Sequence, residues 1–196
     1  MVETVPQRTT SVHREGPQQK LLDFLVTRHA DELAHGQSSL LAHLIGTWRL
    51  LRDWGMEETV CNAGLFHSIY GTERYLDRCC DETDRDLVRA QIGVEAELLV
   101  FVFCAMERAA FYSAVAASAS SEDICVLGRW DGTRWQLSPR QARAIAHVLV
   151  ANFIDQRAAL DQTTFAKTIV RLAKVGSLLN GSAQHALRQV SLTGER

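Results

Sequence analysis

The chain has 196 residues, 46% of them hydrophobic and 22% charged, with 21 basic side chains against 23 acidic ones. That length suits one domain with a sizeable core, and a formal charge of −2 offers no basic surface for nucleic acid or an anionic membrane. No apolar run approaches the ~20 residues that span a bilayer and no leader pattern is visible, so the expectation is a cytoplasmic protein.

Residues 1–16 are polar and without period, and read as a flexible N-terminal tail ahead of one domain over 17–196. Pro17 suits the first turn of a helix whose apolar face is Leu21, Leu22, Leu25 and Val26. Gly36 interrupts the chain just after His35. Ser38 or Ser39 can then cap a helix carrying Leu40, Leu41, Leu44, Ile45, Trp48 and Leu51, which Gly55 ends. Glu57 to Phe66 reads as a short, almost wholly apolar helix, closing at Tyr70-Gly71. Residues 74–86 are charged and read as a loop with one helical turn. Leu87–Ala119 reads as two consecutive helices, with the break near Gly93 or near Glu107-Arg108.

Ile124 to Leu137 carries the strand signal, an Ile-Cys-Val-Leu run and an Asp131-Gly132 turn between Trp130 and Trp135. Both tryptophans read as packing and lid. Ser138-Pro139 opens a helix to about Leu160, Thr163–Leu179 forms another, and Gly181-Ser182 begins a last short one. The expected fold is all-α, a bundle of about eight helices with one small β-hairpin near 124–137. The five cysteines include no CxxC or finger spacing and read as reduced thiols.

The informative stretch is His43 through Thr72. An apolar run ending in Leu65-Phe66-His67-Ser68 places an imidazole at the inner end of a buried helix, where it must be hydrogen-bonded or coordinated. Tyr70, Gly71 and Thr72 follow directly, and hydroxyls around a glycine turn read as pocket rather than core. His43, His67, Ser68, Tyr70 and Thr72 are therefore the candidate catalytic residues. Each has a plain structural alternative: a hydrogen-bonded histidine pair in the core, or a Ser68 hydroxyl bonded back to its own helix. Glu95, in Ile92-Gly-Val-Glu-Ala-Glu97, is a weaker candidate for an acid/base or a ligand. His147 and His185 read as structural or exposed.

His43, then a helix, a turn and a helix ending in AGLFH, resembles the HD-domain superfamily of metal-dependent phosphohydrolases and oxygenases. AGLFHSIYGT looks like a bacterial family of unassigned activity that carries serine where HD enzymes carry aspartate. The resemblance implies an HD-like helical bundle with a metal site between facing helices. It implies His43 and His67 as ligands and puts the last ligand slot on Asn152. Asp155, three residues on and near the same helical face, can substitute if the register shifts. The expected ligand set is His43, His67 and Asp155, with His35 and Asn152 as further candidates. Ser68 and Asn152 stand where two carboxylates would be, which disfavours a dinuclear hydrolase.

The resulting expectation is an enzyme acting on a small organic molecule with one divalent metal (Fe, Mn or Zn), through oxidative or lyase-type rather than phosphohydrolytic chemistry. The alternative is a metal-free isomerase, cyclase or ligand-binding protein that uses the histidines as acid/base or pocket groups. The expected partner is a small-molecule substrate, with no nucleic acid and no membrane. A homodimer through the long helices stays open, with no sustained heptad pattern to direct it.

Overall fold

The computed structural model describes residues 16–193 apart from Gln37, Ser120, Ser121 and Asp131. The N-terminal tail, as far as residue 15, and the first half of the Asp131-Gly132 turn lie outside the described residues. Among those described there are nine α-helices and two small antiparallel hairpins. The all-α expectation and the 124–137 hairpin hold.

Helix α1 (Pro17–Thr27) leads into a two-residue hairpin, β1 (Ala34–His35) with β2 (Ser38–Ser39), which the periodicity had not announced. Gly36, at φ 61°, makes the tight reversal that a side chain would resist. Ser39 accepts from the Ala42 amide and starts α2 (Leu40–Asp53). Next comes α3 (Glu58–Phe66). Gly64 lets it approach α2 closely, since a Cβ there would meet Leu51. Both expected breaks in the following segment occur, giving three helices instead of two: α4 (Arg85–Ile92), α5 (Val94–Ala105) and α6 (Arg108–Ala117). Gly93, at φ 84°, makes the first break, and extended backbone at Met106 and Glu107 makes the second.

Strands β3 (Ile124–Leu127) and β4 (Arg134–Leu137) pair Ile124 with Leu137. Arg129 pins this hairpin to the core, donating from Nε to the Cys104 carbonyl at 2.9 Å and from Nη2 to that of Gly71 at 3.3 Å. Those are carbonyls that the end of α5 and the turn after His67 leave unpaired. Ser138 and Gln141 form a capping box at the start of α7 (Pro139–Gln156), which is buried almost throughout from Ala142 to Ile154. Helices α8 (Gln162–Ala173) and α9 (Gly181–Thr193) complete the chain.

Helices α2, α3 and α7 pack against one another at the centre, and α5 packs on α3. One apolar cluster, including Leu25, Leu44, Phe66, Val100, Phe111 and Leu149, joins them. No helix among the described residues is long and apolar enough to cross a membrane.

Candidate metal centre

The three central helices bring His43, His67 and Asn152 together. His43 Nε2 lies 3.1 Å from His67 Nε2 and 3.0 Å from Asn152 Oδ1, and His67 Nε2 lies 3.0 Å from that same oxygen. The three atoms form a nearly equilateral triangle, from His43 on α2, Asn152 on α7 and His67 just past the end of α3. The outer ring nitrogens decide what it can hold. His67 Nδ1 donates to the Gly64 carbonyl at 2.7 Å, and His43 Nδ1 donates to Asp155 Oδ2 at 2.6 Å. A carbonyl and a carboxylate can only accept, so both ring protons are committed outward. With each Nδ1 engaged outward, both Nε2 atoms and the amide oxygen face one point. Three buried acceptors at this spacing repel unless a proton or cation lies among them. Edges of 3.0–3.1 Å also suit adjacent ligands around an ion held by bonds of about 2.1 Å. Imidazole and amide oxygen together suit Fe, Mn or Zn, and three ligands on one face leave positions open.

The expected ligand set changes in one member. Asp155 does not join the triangle, because His43 Nδ1 takes its carboxylate on the ring's far side. Accordingly, no three His, Cys, Asp or Glu side chains cluster as a metal set among the described residues. Asn152 takes the third vertex, and Asp155 holds the His43 ring from its far side through Nδ1. Gly46 makes room for this, since a Cβ there would collide with Asp155 Oδ1.

His35 is also close but does not converge. Its ring stacks on that of His43 at 4.4 Å and 18°, with the edge of Tyr75 at 4.2 Å. Its Nε2 accepts from Gln156 Nε2, which leaves Nδ1 buried without a partner. Burial, helped by His43, lowers the His35 pKa to about 4. Burial first and His43 second hold His67 well below the usual imidazole range. The site is thus built to keep these imidazoles neutral, the form that donates a lone pair.

Ser68 lines a cavity of about 480 Å³ together with His43, Asn152 and Asp155. Thr72 reaches it too, but its Oγ1 is occupied by the amides of Arg74 and Tyr75, as a turn former. Tyr70 turns away and donates to Glu97 at 3.3 Å. The two carboxylates on α5 differ in setting, and Glu95, the weaker candidate, does not reach the cavity. Glu95 makes an exposed ion pair with Arg140, while Glu97 is fully buried between Arg85, Arg89 and Tyr70. His147 is buried and structural, donating to the Arg143 carbonyl and accepting from the Asn180 amide.

Arg108, which also lines the cavity, had been read only as a helix break. A signal was present: it is the first residue of α6, where the helix dipole disfavours a cation, so something other than helix stability places it there.

Residues 24–108 match a family described as a domain of unknown function, DUF6817. The match takes in both histidines and Arg108, and ends before α7 supplies Asn152 and Asp155. No curated protein matches the chain.

Proposed function

We propose that the chain is an HD-like enzyme that holds one divalent metal on His43, His67 and Asn152 and acts on a small organic molecule in the adjoining cavity. The observation that carries this is the triangle of His43 Nε2, His67 Nε2 and Asn152 Oδ1, all within 3.0–3.1 Å of one another, with both Nδ1 atoms engaged on the outside. A metal ion bound there supplies a Lewis acid with open positions for substrate or water. The chain's own groups set the conditions. Asp155 and the Gly64 carbonyl fix the two tautomers, and His35 covers one face of His43. Phe103 lies edge-on to His67 at 5.2 Å. Ser68 gives the cavity a neutral hydroxyl where a hydrolase of this type would carry a carboxylate. A donor set without carboxylates holds one ion rather than two, which favours oxidative or lyase-type conversion over phosphomonoester hydrolysis.

The test is elemental analysis of protein purified without a histidine tag. Close to one equivalent of iron, manganese or zinc per chain is expected, and its loss in folded His43→Ala and His67→Ala. Failure to retain metal after anaerobic reconstitution would overturn the reading. The amide of Asn152 would then be turned so that its NH2 donates to the imidazoles, and acid/base work by the histidine pair would take its place.

A further inference from the structure

The cavity contains a second imbalance, opposite in sign to the triangle. Arg108 lies along Phe103, its guanidinium carbon 4.9 Å from the ring centroid, and its Nε is shut off from solvent with no hydrogen-bond partner. The main chain holds it in place. The Glu107 amide donates to the Leu127 carbonyl at 2.8 Å, and the Arg108 amide donates to Glu73 Oε2 at 3.2 Å. Four arginines are matched by carboxylates: Arg28 by Asp84, Arg85 and Arg89 by Glu97, and Arg140 by Glu57 and Glu95. Among the described residues no carboxylate forms an ion pair with the Arg108 guanidinium, although the charge of Glu73 favours it, and another arginine, Arg74, lines the same cavity. Asp155, the acid there, is engaged by His43. Arg108 is half-buried with its Nε shut off from water, a costly place for an unpaired N–H of a cation, and burial pushes its pKa down. The planar fork suits a two-oxygen acceptor. Phe153, Leu160 and Leu172 give the cavity an apolar stretch, with Thr164 and Thr168 beside it.

We infer that Arg108 is the anion-recognising residue of this cavity, and that the molecule it accepts is a small amphipathic oxyanion, with its carboxylate or phosphate at Arg108 and Arg74 and its apolar body against Phe153, Leu160 and Leu172. This deepens the proposed function, resting on the cavity being the substrate site but not on a bound metal. Phe103 links the two features, since it carries Arg108 on its face and meets His67 at its edge. An anion held by Arg108 is thereby presented close to the triangle.

The test is calorimetric titration of the full chain with octanoate, octyl phosphate and octanol, in chelator-treated and in metal-reconstituted protein. Octanoate or octyl phosphate is expected to bind about tenfold or more tighter than octanol. Whichever anion is preferred identifies the head group as carboxylate or phosphate. Arg108→Gln is expected to erase that preference while leaving octanol affinity and metal content unchanged, a pattern that a folding defect cannot mimic. Arg108→Lys should restore part of it. Equal binding of anion and alcohol, or an undiminished preference in Arg108→Gln, overturns the inference. Anion binding that disappears with the metal alone also overturns it, and leaves the metal reading standing. Anion binding that persists in protein unable to hold metal supports this inference while the metal reading fails.

Discussion

Two buried polar clusters draw on the turn that follows α3, one through Tyr70 and the other through His67, and they differ in how their groups are matched. Around Glu97 the count closes. Arg85 donates from Nε and Nη2 at 2.6 and 3.0 Å, Arg89 from Nε at 3.0 Å and Tyr70 from its hydroxyl at 3.3 Å. A fully buried carboxylate is thereby surrounded by donors and can take nothing more. Around His43, His67 and Asn152 two ring nitrogens and an amide oxygen face one another, with both Nδ1 atoms engaged outward. The first cluster is complete in itself, and the second is where the proposed metal would be held. Burial of charged and polar groups alone therefore does not locate a site.

The largest effect that tests this contrast is expected at the closed cluster. Glu97→Gln leaves two arginines facing a neutral amide, and losing one partner of a buried ion network costs about 3–5 kcal/mol. Urea unfolding should show a loss of that size, while the folded fraction retains the metal content and ligand affinity of the parent. An unchanged stability, or a metal site lost with the protein still folded, would break the distinction between the two clusters.

A second effect, nearly as large, comes from acid. His35 has its folded pKa lowered to about 4, chiefly by burial and next by His43, against an ordinary value of 6.5. Between those values the unfolded chain binds the proton and the folded one does not, so stability rises with pH across the window. It is fully present above about pH 6.5 and is lost on acidification toward pH 4, by roughly 3 kcal/mol for this residue alone. His67 and His147, both lowered chiefly by burial, act in the same direction. Unfolding of chelator-treated protein at several pH values between 7 and 4 should show the decline, and a flat profile would mean that the site does not hold its histidines neutral.

The sequence and the structure agree where the signal is local. Ser39, Ser138 with Pro139, and the glycines at 55 and 93 mark helix ends by their own backbone chemistry, and the helices begin and stop there. His43 and His67 were legible because an imidazole at the end of an apolar run has to be explained. The resemblance-based slot at Asn152 also coincides with the third vertex of the triangle. What was not legible depends on packing across elements. The β1–β2 hairpin that stacks His35 on His43 has too few residues to show a period. Whether Asp155 meets the inner or the outer nitrogen of His43 depends on the crossing of α2 and α7. The sorting of Glu95 from Glu97, and of Tyr70 away from the cavity, follows from where two arginines on α4 happen to reach.

The smallest effect is the most selective, because it touches the triangle only through the group behind it. Gly46 sits one turn after His43 on α2, in the middle of a helix, where glycine ordinarily costs roughly 0.5–1 kcal/mol relative to alanine. Gly46→Ala would therefore stabilise an unconstrained helix. Here the added methyl would collide with Asp155 Oδ1 and drive the carboxylate from His43 Nδ1. The expected result is no gain in stability and a metal affinity lowered about 10–100-fold, as when an outer-shell partner of a ligating histidine is removed. Asp155→Asn should lower affinity by a similar factor without the steric clash. Competition with a chromophoric chelator measures both. A Gly46→Ala protein that is more stable and binds metal as tightly as the parent would show that the His43–Asp155 pair does not govern the triangle. The glycine would then be no more than a weak point in α2.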